Sequence, residues 1–574
     1  MTSDPEYQAR SAIVGNLRLP DPGGPGKGAD SPDKGADSPG KGAGGPDKGV
    51  KGPDPYERLP VLIELNARFP GGLAAVGDAF ANLWAPYAQQ AMGQWPPQAA
   101  SGGPALPAAP AGLAVVAPSL YQGVLNRATV RDLVEDDRRN ARLESRPPVI
   151  FHIWPDYTLY PQIDRSAPTV KADAAWRSYG ARGGGVVWAV IDSGIDATHQ
   201  HFGQLELFKE MAGTDLPAGL TTRLHQDFSY LVDPGNPGAP PPPGQAGAAG
   251  AAGAAGAAGF GWRSALTDEC GHGTHVAGII AGCSPADKTG KLRVAESKEP
   301  SGDFVPRARV GVLSGMAPAC ELISIKVMRQ NVVGTWVTSS SAVIRALTYL
   351  RTEVNVSPDV LRVHGVNMSL GCDWSPDQYA AGQSPLCRAV NQLVASGVTV
   401  VVSAGNSGAN LQAGDAAGQP APSSVMGSIS EPAHAQDCIA VGSTHRDAPH
   451  AFGVTWTSGK GPTLDGRSKP DVVAPGEWIT SAATGEVRAG AGLAPKPDDT
   501  DPDRFLTYAE QSGTSMAAPH VSGVIAAFLA ARPEFVGRPR EVKDLLTSSA
   551  TDLGREHYAQ GAGLVDLMRM LANV

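Results

Sequence analysis

Three polar side chains that lie far apart in the chain have the types needed for acyl transfer. Asp192 ends an apolar run (VIDSG), His272 stands between two glycines before another apolar run (GHGTHVAG), and Ser515 follows Gly513 and precedes a third (SGTSMAAPHVSG). A serine hydroxyl is a weak nucleophile at neutral pH and needs a base. Imidazole can accept the proton and return it later, while a carboxylate orients the ring and stabilises its cation.

Each of these residues alone has a plainer interpretation. An aspartate after a strand is commonly a turn residue, and a histidine at the start of a helix is commonly a cap. His272 and His275 have the spacing of a metal pair, but the glutamate of a zinc motif is missing. The three motifs in the order Asp, His, Ser, with their flanking glycines, are what favour catalysis.

The elements around these motifs predict an α/β fold. Short runs rich in Val and Ile alternate with helical segments, which is typical of a parallel sheet covered on both faces. Ligands of such sheets bind beyond the carboxyl ends of the strands, where three of the motifs stand. The helix that carries Ser515 is predicted to have Pro519 in its first turn, where a missing N–H costs nothing. The predicted strands are residues 185–191, 322–327, 366–370, 398–402 and 439–441.

The segment QSGTSMAAPHVSG resembles the nucleophile segment of the subtilisin-like serine peptidases, or subtilases, and the order Asp, His, Ser is theirs. The resemblance covers the chain from about residue 171 to its end. It implies a three-layer fold with a mainly parallel sheet, and a serine endopeptidase that works through an acyl-enzyme on Ser515. His272 is then base and acid, Asp192 orients it, and Asn406 stabilises the oxyanion together with the backbone N–H of Ser515.

The same resemblance implies the residues that contact substrate. An extended edge would pair with substrate backbone, the end of another strand would line the main specificity pocket, and Gly334 and Trp336 would form a second edge. Ser430 and Glu431 fall near the base and rim of the pocket, and a preference for basic side chains is expected if Glu431 points inward. The first edge is Ser369, Leu370 and Gly371, and the pocket wall is Ser403, Ala404 and Gly405.

Composition divides the chain of 574 residues into three parts. Residues 1–56, with a repeated KGADSP, predict a disordered tail. Residues 57–165 predict a small α+β, ferredoxin-like domain that resembles the inhibitory propeptide of subtilases. By the same resemblance, residues 166–574 are expected to form the peptidase domain, with a low-complexity insertion near 234–260 and further surface insertions at 284–309 and 488–504.

In the small domain we expect strands at 61–65, 114–116, 124–125 and 149–154, a helix over 73–92, and a short helix capped by Thr129. Two alternatives stay open for this domain. It is a propeptide that is cut off, or it is a permanent accessory domain. A separate alternative for the whole chain is a binding protein on a subtilase scaffold, whose cleft the N-terminal domain plugs permanently.

Charge and the N-terminal sequence restrict partners and location. A net charge of −9 argues against general nucleic-acid binding, and the chain has no strongly apolar run of 18 residues that would predict a membrane span. The N-terminus has no basic start followed by an apolar stretch, so no signal peptide is visible and cytoplasmic residence is expected. Export by a route without such a signal stays open. The expected partners are protein or peptide substrates.

Cysteines and cofactors give weaker signals. Six cysteines do not make a disulfide framework, although Cys372 and Cys387 could form a bridge in an oxidising compartment. Cys270, two residues before His272, could make the cleft sensitive to thiol reagents. No cofactor is expected for catalysis and no metal ligand is assigned. Many subtilases bind structural calcium through an aspartate at a position where this chain has His201, so that site is expected to be lost; calcium elsewhere stays open.

Overall fold

The computed structural model describes thirteen stretches of the chain, and they include every predicted site residue. The predicted tail, residues 1–56, and the insertion near 234–260 lie outside them. The described residues are 58–88, 110–155, 158–161, 169–203, 224–232, 262–284, 291–298, 303–310, 313–357, 360–372, 380–410, 423–493 and 507–574.

The first unit is a four-stranded antiparallel sheet with two helices against it. The order in the sheet is β2-β3-β1-β4. Val76, Phe80 and Leu83, at helical spacing in the sequence, pack with the sheet in one apolar core. The predicted strands are confirmed. The first helix is present but ends at Trp84, whereas the prediction ran to residue 92, and residues 89–92 lie outside the described residues. The elements are β1 Arg58–Leu65, α1 Gly72–Trp84, β2 Ala114–Ala117, β3 Leu120–Asn126, α2 Arg127–Leu143 and β4 Ile150–Pro155.

Helix α2 is longer than the sequence suggested, and its cap was assigned wrongly. The cap is Asn126, whose side chain accepts a hydrogen bond from the backbone N–H of Thr129 at 2.8 Å. Thr129 therefore lies inside the first turn, and the helix runs for 17 residues. Asparagine at the end of a strand satisfies a free helical N–H as well as threonine does, so composition alone did not separate the two.

The second unit contains the remaining strands and helices. The strands are β5 Thr158–Pro161, β6 Val187–Asp192, β7 Gln226–Asp227, β8 Lys291–Lys298, β9 Asp303–Val310, β10 Glu321–Lys326, β11 Arg329–Gln330, β12 Trp336–Ser339, β13 Gly365–Met368, β14 Leu370–Gly371, β15 Thr399–Ser403, β16 Ala409–Asn410, β17 Ser423–Ser424, β18 Ile439–His445, β19 Val472–Glu477, β20 Ile479–Ala482 and β21 Thr507–Gln511. The α-helices are α3 Ala172–Tyr179, α4 Gln200–Gly203, α5 His272–Ile280, α6 Ser340–Tyr349, α7 Pro385–Ala395, α8 Pro449–Phe452, α9 Gly485–Gly490, α10 Thr514–Ala531, α11 Pro539–Ser549, α12 His557–Gln560 and α13 Leu567–Ala572.

A seven-stranded parallel sheet forms the centre of this unit, in the order β19-β18-β15-β13-β6-β10-β7. One apolar core, which includes α6 and α7, covers one face, and a second core, which includes α5 and α10, covers the other. This is the three-layer α/β arrangement that the sequence predicted. Strands β6, β13 and β15 end side by side, so the residues that follow them meet at one edge of the sheet.

Helix α10 is the one helix in the described part of the chain that is long and apolar enough to cross a membrane. Its most apolar window is 89% buried inside the fold, so packing in the core accounts for its composition. Pro519 was expected in the first turn, but the helix begins at Thr514 and Pro519 lies inside it.

The predicted surface insertion at 284–309 is instead largely regular structure. Strands β8 and β9 pair as an antiparallel hairpin, and β8 also pairs in parallel with β21. The hairpin extends the small sheet made by β20 and β21, just before the nucleophile segment. Charged residues on both strands hid this pattern in the sequence.

The first unit packs on α6 and α7 of the second. Leu62, Leu120 and Trp154 belong to the same apolar core as those two helices. Glu64 pairs with Arg388 of α7 at 2.6 Å and accepts a hydrogen bond from the Trp154 indole at 2.9 Å. The interface therefore combines a buried apolar centre with a partly buried ion pair.

Strand β5 follows the first unit and lies in the second. It runs antiparallel between β12 and β14, with Leu370 opposite Pro161 and Thr338 opposite Leu159. A segment that comes directly after the small domain therefore occupies the gap between the two predicted substrate edges.

Candidate active site

Asp192 and His272 form a fully buried pair. Asp192 is the last residue of β6, and His272 is the first residue of α5. Nδ1 of His272 lies 2.7 Å from Oδ1 of Asp192, and both side chains have no exposed surface. Because the carboxylate accepts the proton on Nδ1, the ring presents Nε2 as the basic nitrogen.

A second carboxylate, Asp268, holds the start of α5 and was missed in the sequence. It accepts hydrogen bonds from the backbone N–H groups of Gly271 and Thr274 and from the hydroxyl groups of Thr274 and Ser193, all between 2.7 and 2.9 Å. Ser193 in turn accepts the N–H of Gly273 at 2.9 Å. Burial raises the pKa of Asp268, while these donors favour its charged form. Asp268 thus positions the Asp192–His272 pair without contacting either side chain.

The signal for Asp268 was present in the sequence. It stands four residues before His272, the first residue of α5, in the stretch TDECG that precedes the helix. A carboxylate near a helix N-terminus is common, so the pattern alone did not mark it as part of the site.

Ser515 lies in the first turn of α10, directly after Gly513 and Thr514. Its Oγ donates a hydrogen bond to the carbonyl oxygen of Ser369 at 3.1 Å. In this conformation the hydroxyl proton is directed at a backbone carbonyl, so the O–H bond must turn toward a base before its proton can be transferred. The backbone N–H of Ser515 makes no hydrogen bond to the described residues, as expected for the first turn of a helix.

Pro519 explains why Ser369 is tied to the nucleophile. A proline has no N–H, so the carbonyl oxygen of Ser515, four residues earlier, loses its helical donor. The hydroxyl of Ser369 supplies one instead, at 2.7 Å from that oxygen. Asn367 donates to the same hydroxyl at 2.9 Å and so fixes its orientation. The predicted substrate edge and the nucleophile are thus joined by two hydrogen bonds between Ser369 and Ser515.

Replacing Ser369 with alanine should lower the free energy of unfolding by about 1–3 kcal/mol, because the buried carbonyl of Ser515 loses its donor. Denaturant unfolding on a Ser515→Ala background avoids self-digestion. Exposed Ser548, whose hydroxyl bonds a carbonyl of its own helix, is the control, and Ser548→Ala should cost under about 0.5 kcal/mol.

A second variant separates this hydrogen bond from other effects of the same change. Pro519→Ala restores an N–H to the helix, so Ser369→Ala should cost about 1 kcal/mol less on that background than with proline present. Equal costs on the two backgrounds would contradict the assignment of Ser369 as the substitute donor.

Asn406 follows the end of β15 and is held by the nucleophile segment. Its Oδ1 accepts the backbone N–H of Thr514 at 3.0 Å and lies 3.2 Å from the Thr514 hydroxyl oxygen. A backbone N–H can only donate, so the atom that faces it is the amide oxygen. The amide nitrogen is turned the other way and makes no hydrogen bond to the described residues. It is available, beside the free N–H of Ser515, for an oxyanion.

The predicted pocket wall lies at the end of β15. Ser403 and Ala404 are fully buried, and Gly405 has a φ of +105°. A Cβ on Gly405 would lie 2.9 Å from the Oγ of Ser430, so glycine lets these two segments meet. Ser430 therefore stands against the pocket wall.

Glu431 is directed to the other side, which removes the basis for a basic preference. Its Oε1 accepts a hydrogen bond from the thiol of Cys387 on α7 at 3.5 Å, and the residue is buried. Neighbouring side chains of an extended segment point in opposite directions, so Ser430 and Glu431 cannot both face the pocket.

Of the two predicted substrate edges, Leu370 and Gly371 form β14 and pair with β5. Trp336 of the second edge begins β12 and pairs with Gln330 of β11, while Thr338 and Ser339 of the same strand pair with β5. Gly334 is not in the paired edge. It lies in an exposed turn before β12, with a φ of +82°, and the Asn331 side chain closes that turn by accepting two backbone N–H groups.

His275 is not placed to share a metal with His272. It is fully buried, and its Nε2 bonds the carbonyl oxygen of Ala509 at 3.0 Å. Burial lowers its pKa to about 3, so the ring is neutral. No cluster of three metal-ligating side chains exists among the residues that the structure describes.

His201 occupies the position where the resemblance placed a calcium ligand, and its surroundings do not fit calcium. Its Nε2 lies 3.2 Å from the carbonyl of Gly278 and 3.1 Å from that of Ala281, at the C-terminal end of α5. Its Nδ1 lies 3.3 Å from the hydroxyl of Tyr508. Burial lowers the pKa of His201 to about 3, so a neutral ring holds both carbonyls by its Nε2–H. Calcium needs several oxygen ligands and would find these two already bound.

We expect no calcium-dependent stabilisation at this position. A site saturated at one hundred times its Kd would add about 2.7 kcal/mol to the free energy of unfolding, which is readily measured. Unfolding of the Ser515→Ala protein is compared with calcium and with EDTA, alongside His201→Gln, whose amide can still donate to a carbonyl. Calcium stabilisation that disappears in His201→Gln would contradict the prediction, whereas stabilisation retained in that variant places calcium elsewhere.

None of the six cysteines forms a disulfide. Cys372 and Cys387 both contact Glu431 rather than each other, through the backbone and the thiol respectively. Cys270 is 7% exposed, and burial raises the pKa of its thiol, so it is a poor target for thiol reagents in this state.

Sequence comparison shows which known proteins this chain resembles. The sequence profile of the subtilase family matches residues 183–564. Pyrolysin from Pyrococcus furiosus is 30% identical over 337 residues, which cover 54% of this chain and 21% of pyrolysin. Serine protease AprX from Bacillus subtilis is 30% identical over 309 residues, 52% of this chain and 57% of AprX.

A smaller relative is covered more fully. Subtilisin DY from Bacillus licheniformis is 31% identical over 301 residues, which make up 52% of this chain and 77% of that protein. The matched region thus spans only about a fifth to three quarters of these relatives. The match includes the ends of β6 and β15 and the starts of α5 and α10. These four places carry Asp192, Asn406, His272 and Ser515. By profile, by identity and by fold, the chain belongs to the subtilase family.

Proposed function

We propose that the protein is a serine endopeptidase that hydrolyses peptide bonds through an acyl-enzyme on Ser515. The observation that carries the proposal is the buried Asp192–His272 pair, 2.7 Å apart, at the same edge of the sheet as Ser515 and Asn406. An imidazole with its Nδ1 held by a carboxylate is the base that a serine nucleophile needs.

The proposed reaction has two halves. Ser515 Oγ attacks the substrate carbonyl as His272 Nε2 takes its proton, and the oxyanion receives the Asn406 amide and the Ser515 N–H. The imidazolium then gives its proton to the leaving amine as the C–N bond breaks, which leaves an ester on Ser515. A water molecule, deprotonated by the same imidazole, cleaves the ester and restores the hydroxyl.

Apolar or small side chains are the expected occupants of the main specificity pocket. Gly405 and Ser430 meet at its wall, and the carboxylate of Glu431 faces Cys387 instead. Cleavage of a peptide library should therefore show no preference for Lys or Arg before the scissile bond. A strong basic preference would show that Glu431 adopts another conformation.

We further propose that residues 57–165 act as an inhibitory propeptide. Two contacts support this role, the pairing of β5 between both substrate edges and the Glu64–Arg388 ion pair. A strand added to both edges excludes any other peptide from them. Removal requires a cut after β5, and one N-terminal truncation in the mass of the purified protein would report both activity and maturation.

The same strand also favours a second candidate, a binding protein with a permanently plugged cleft. A fluorophosphonate probe distinguishes the two, because it reacts only with an activated serine. We expect labelling of the wild type after maturation and none of Ser515→Ala. A wild-type protein that stays full-length and unlabelled would support the second candidate.

For location, we propose a reducing compartment, such as the cytoplasm. The support is that six cysteines, four of them buried, form no disulfide. Thiol titration of denatured protein, after alkylation in intact cells, should count six reduced cysteines. A count of four would indicate a disulfide and an oxidising compartment.

A further inference from the structure

A cavity with no assigned role lies beyond the Asn406 segment. Its volume is about 340 Å³, and its walls include Ser424, Val454, Trp456, Lys460 and Arg555. The indole of Trp456 is 56% exposed, so a flat apolar surface borders the opening. The cavity is not part of the catalytic centre described above.

Lys460 is a buried cation without an anionic partner. It is 8% exposed, and its Nζ donates to the carbonyl oxygens of Gly408 and Trp456, each at 2.6 Å. An ammonium group has three protons, so these two bonds leave one. No carboxylate pairs with it among the described residues, and burial lowers its pKa. Buried charges are normally paired, so this ammonium is a ready partner for an anion that enters the cavity.

Arg555, on the rim, is also bound only to neutral groups. Its NH1 and NH2 groups donate to the carbonyl oxygens of Leu553, Gly554, His450 and Ala451, and it has no carboxylate partner in the described part of the chain. Glu556 lines the cavity as well, but its Oε2 accepts the backbone N–H of Tyr558 at 2.6 Å and caps α12. The cavity wall therefore has two cations and one engaged carboxylate.

The cavity is joined to the oxyanion segment by short contacts. Lys460 binds the carbonyl of Gly408, two residues after Asn406, and the N–H of Gly459 donates to the carbonyl of Gly405 at 2.7 Å. A ligand bound by Lys460 therefore lies against the segment that presents Asn406.

The path of the chain itself indicates which part of a substrate would reach this cavity. Pro161 of β5 pairs with Leu370 at the first substrate edge. Strand β5 runs antiparallel to β14, so beyond Pro161 its direction leads past Ser369, which is hydrogen-bonded to Ser515. A polypeptide that leaves the cleft in its C-terminal direction therefore heads toward the nucleophile and the Asn406 segment, and Ala409 of that segment lines the cavity.

We propose that this cavity binds a carboxylate on the leaving-group side of a peptide substrate, held by Lys460 and Arg555 beside Trp456. The proposal rests on the proposed peptidase function and adds a substrate preference to it. The carboxylate comes from an acidic side chain or from the C-terminus of the peptide. Both sources present the same group to the two cations.

Four peptides distinguish the sources. They share the sequence before the scissile bond, and after it they combine Glu or Gln with a free or an amidated C-terminus. One of the two carboxylates, the Glu side chain or the free C-terminus, should be the one that binds. Peptides that carry it should have a kcat/KM about tenfold or more higher than peptides that lack it, which is the gain expected from charge-assisted hydrogen bonds in a partly buried site. The advantage should shrink in high salt. Equal kcat/KM for all four peptides would overturn the proposal.

Variants test the two cations. Arg555→Gln and Lys460→Met should each bring the ratio of kcat/KM for the acidic peptide to kcat/KM for the neutral peptide close to one. Lys460→Met also loses two hydrogen bonds to backbone, so Arg555→Gln is the decisive variant if the other fails to fold. The control is Arg177→Gln, on the exposed surface of α3, which should keep the preference. A preference that survives in Arg555→Gln would overturn the proposal.

Binding to a Ser515→Ala protein that an added protease has cut after β5, so that its own chain no longer continues through the cleft, separates this site from the proposed function. A fluorescently labelled leaving-group peptide should bind about tenfold more tightly with its carboxylate than without it, by anisotropy, and Arg555→Gln should abolish the difference. If that holds but no peptide is cleaved by the wild type, the carboxylate site stands and the peptidase proposal fails. Equal affinities would remove the site whatever the activity.

Discussion

Ser515→Ala should lower kcat for peptide hydrolysis by about 10⁶, to the level of the residual oxyanion and binding contributions. This magnitude is the one measured for subtilisin, whose nucleophile plays the role proposed for Ser515. The physical reason is that no other side chain can form the ester. Wild type and variant are compared with the same chromogenic peptide at pH 8.

The more informative result concerns His272. His272→Ala should cost about as much as Ser515→Ala, and the double variant should cost no more than either, because a hydroxyl without its base and a base without its hydroxyl are equally inert. If the two losses in kcat multiplied, to about 10¹²-fold in the double variant, the two residues would act independently, which would contradict the mechanism.

A neighbouring serine provides the control. The Oγ of Ser512, three residues before Ser515, is placed to accept the backbone N–H of Trp478 at 3.4 Å, and Ser512→Ala should leave kcat within a few fold of the wild type. Both inactive variants should also remain full-length, because a cut after β5 by the protein itself needs Ser515. A truncated Ser515→Ala protein would show that another protease performs that cut.

The sequence was most informative where chemistry requires particular residue types in particular motifs. Asp192, His272 and Ser515 could be selected from the sequence because strand ends and helix starts are visible as apolar runs with glycines beside them, whereas Asn406 was selected by the resemblance to the subtilases. The parallel sheet brings Asp192 and Asn406 to one edge, since β6 and β15 end there. The roles assigned to these side chains stay predictions until they are tested.

Contacts between distant segments could not be predicted in the same way. The bond from Ser369 to the Ser515 carbonyl depends on the missing N–H of Pro519, which the sequence placed in the wrong turn. The direction of Glu431 depends on where α7 packs. The β8–β9 hairpin is charged on both strands, so neither apolar alternation nor turn residues distinguished it from a loop.

Acidification should unfold the protein well before its carboxylates are all protonated. Burial lowers the pKa of five histidines to about 3 or 4, far below the ordinary value of 6.5. They are His201, His225, His275, His434 and His520. In the unfolded chain these rings take up protons near pH 6.5, whereas in the folded protein they stay neutral.

The direction in which stability changes with pH follows from proton uptake. Because the folded pKa lies below the unfolded one, the unfolded chain binds more protons between the two values, and stability falls as the pH decreases through that window. At pH 5 each such histidine costs about 2 kcal/mol, so five cost roughly 10 kcal/mol, which is comparable with the whole stability of a typical domain. Burial raises the pKa values of Asp137, Asp227 and Asp268, and these carboxyls offset part of the loss.

The measurement is the free energy of unfolding of the Ser515→Ala protein at pH 7.5 and pH 5.0. His520 is the residue to replace, because its Nε2 has no hydrogen-bond partner among the described residues and its ring is fully buried in α10. In His520→Leu the difference between the two pH values should shrink by about 2 kcal/mol, since one buried base no longer titrates. Exposed Ser548 is the control, and Ser548→Ala should leave the difference unchanged. An equal pH dependence in His520→Leu and in the parent would mean that this ring is protonated inside the fold, and the acid sensitivity would then need another cause.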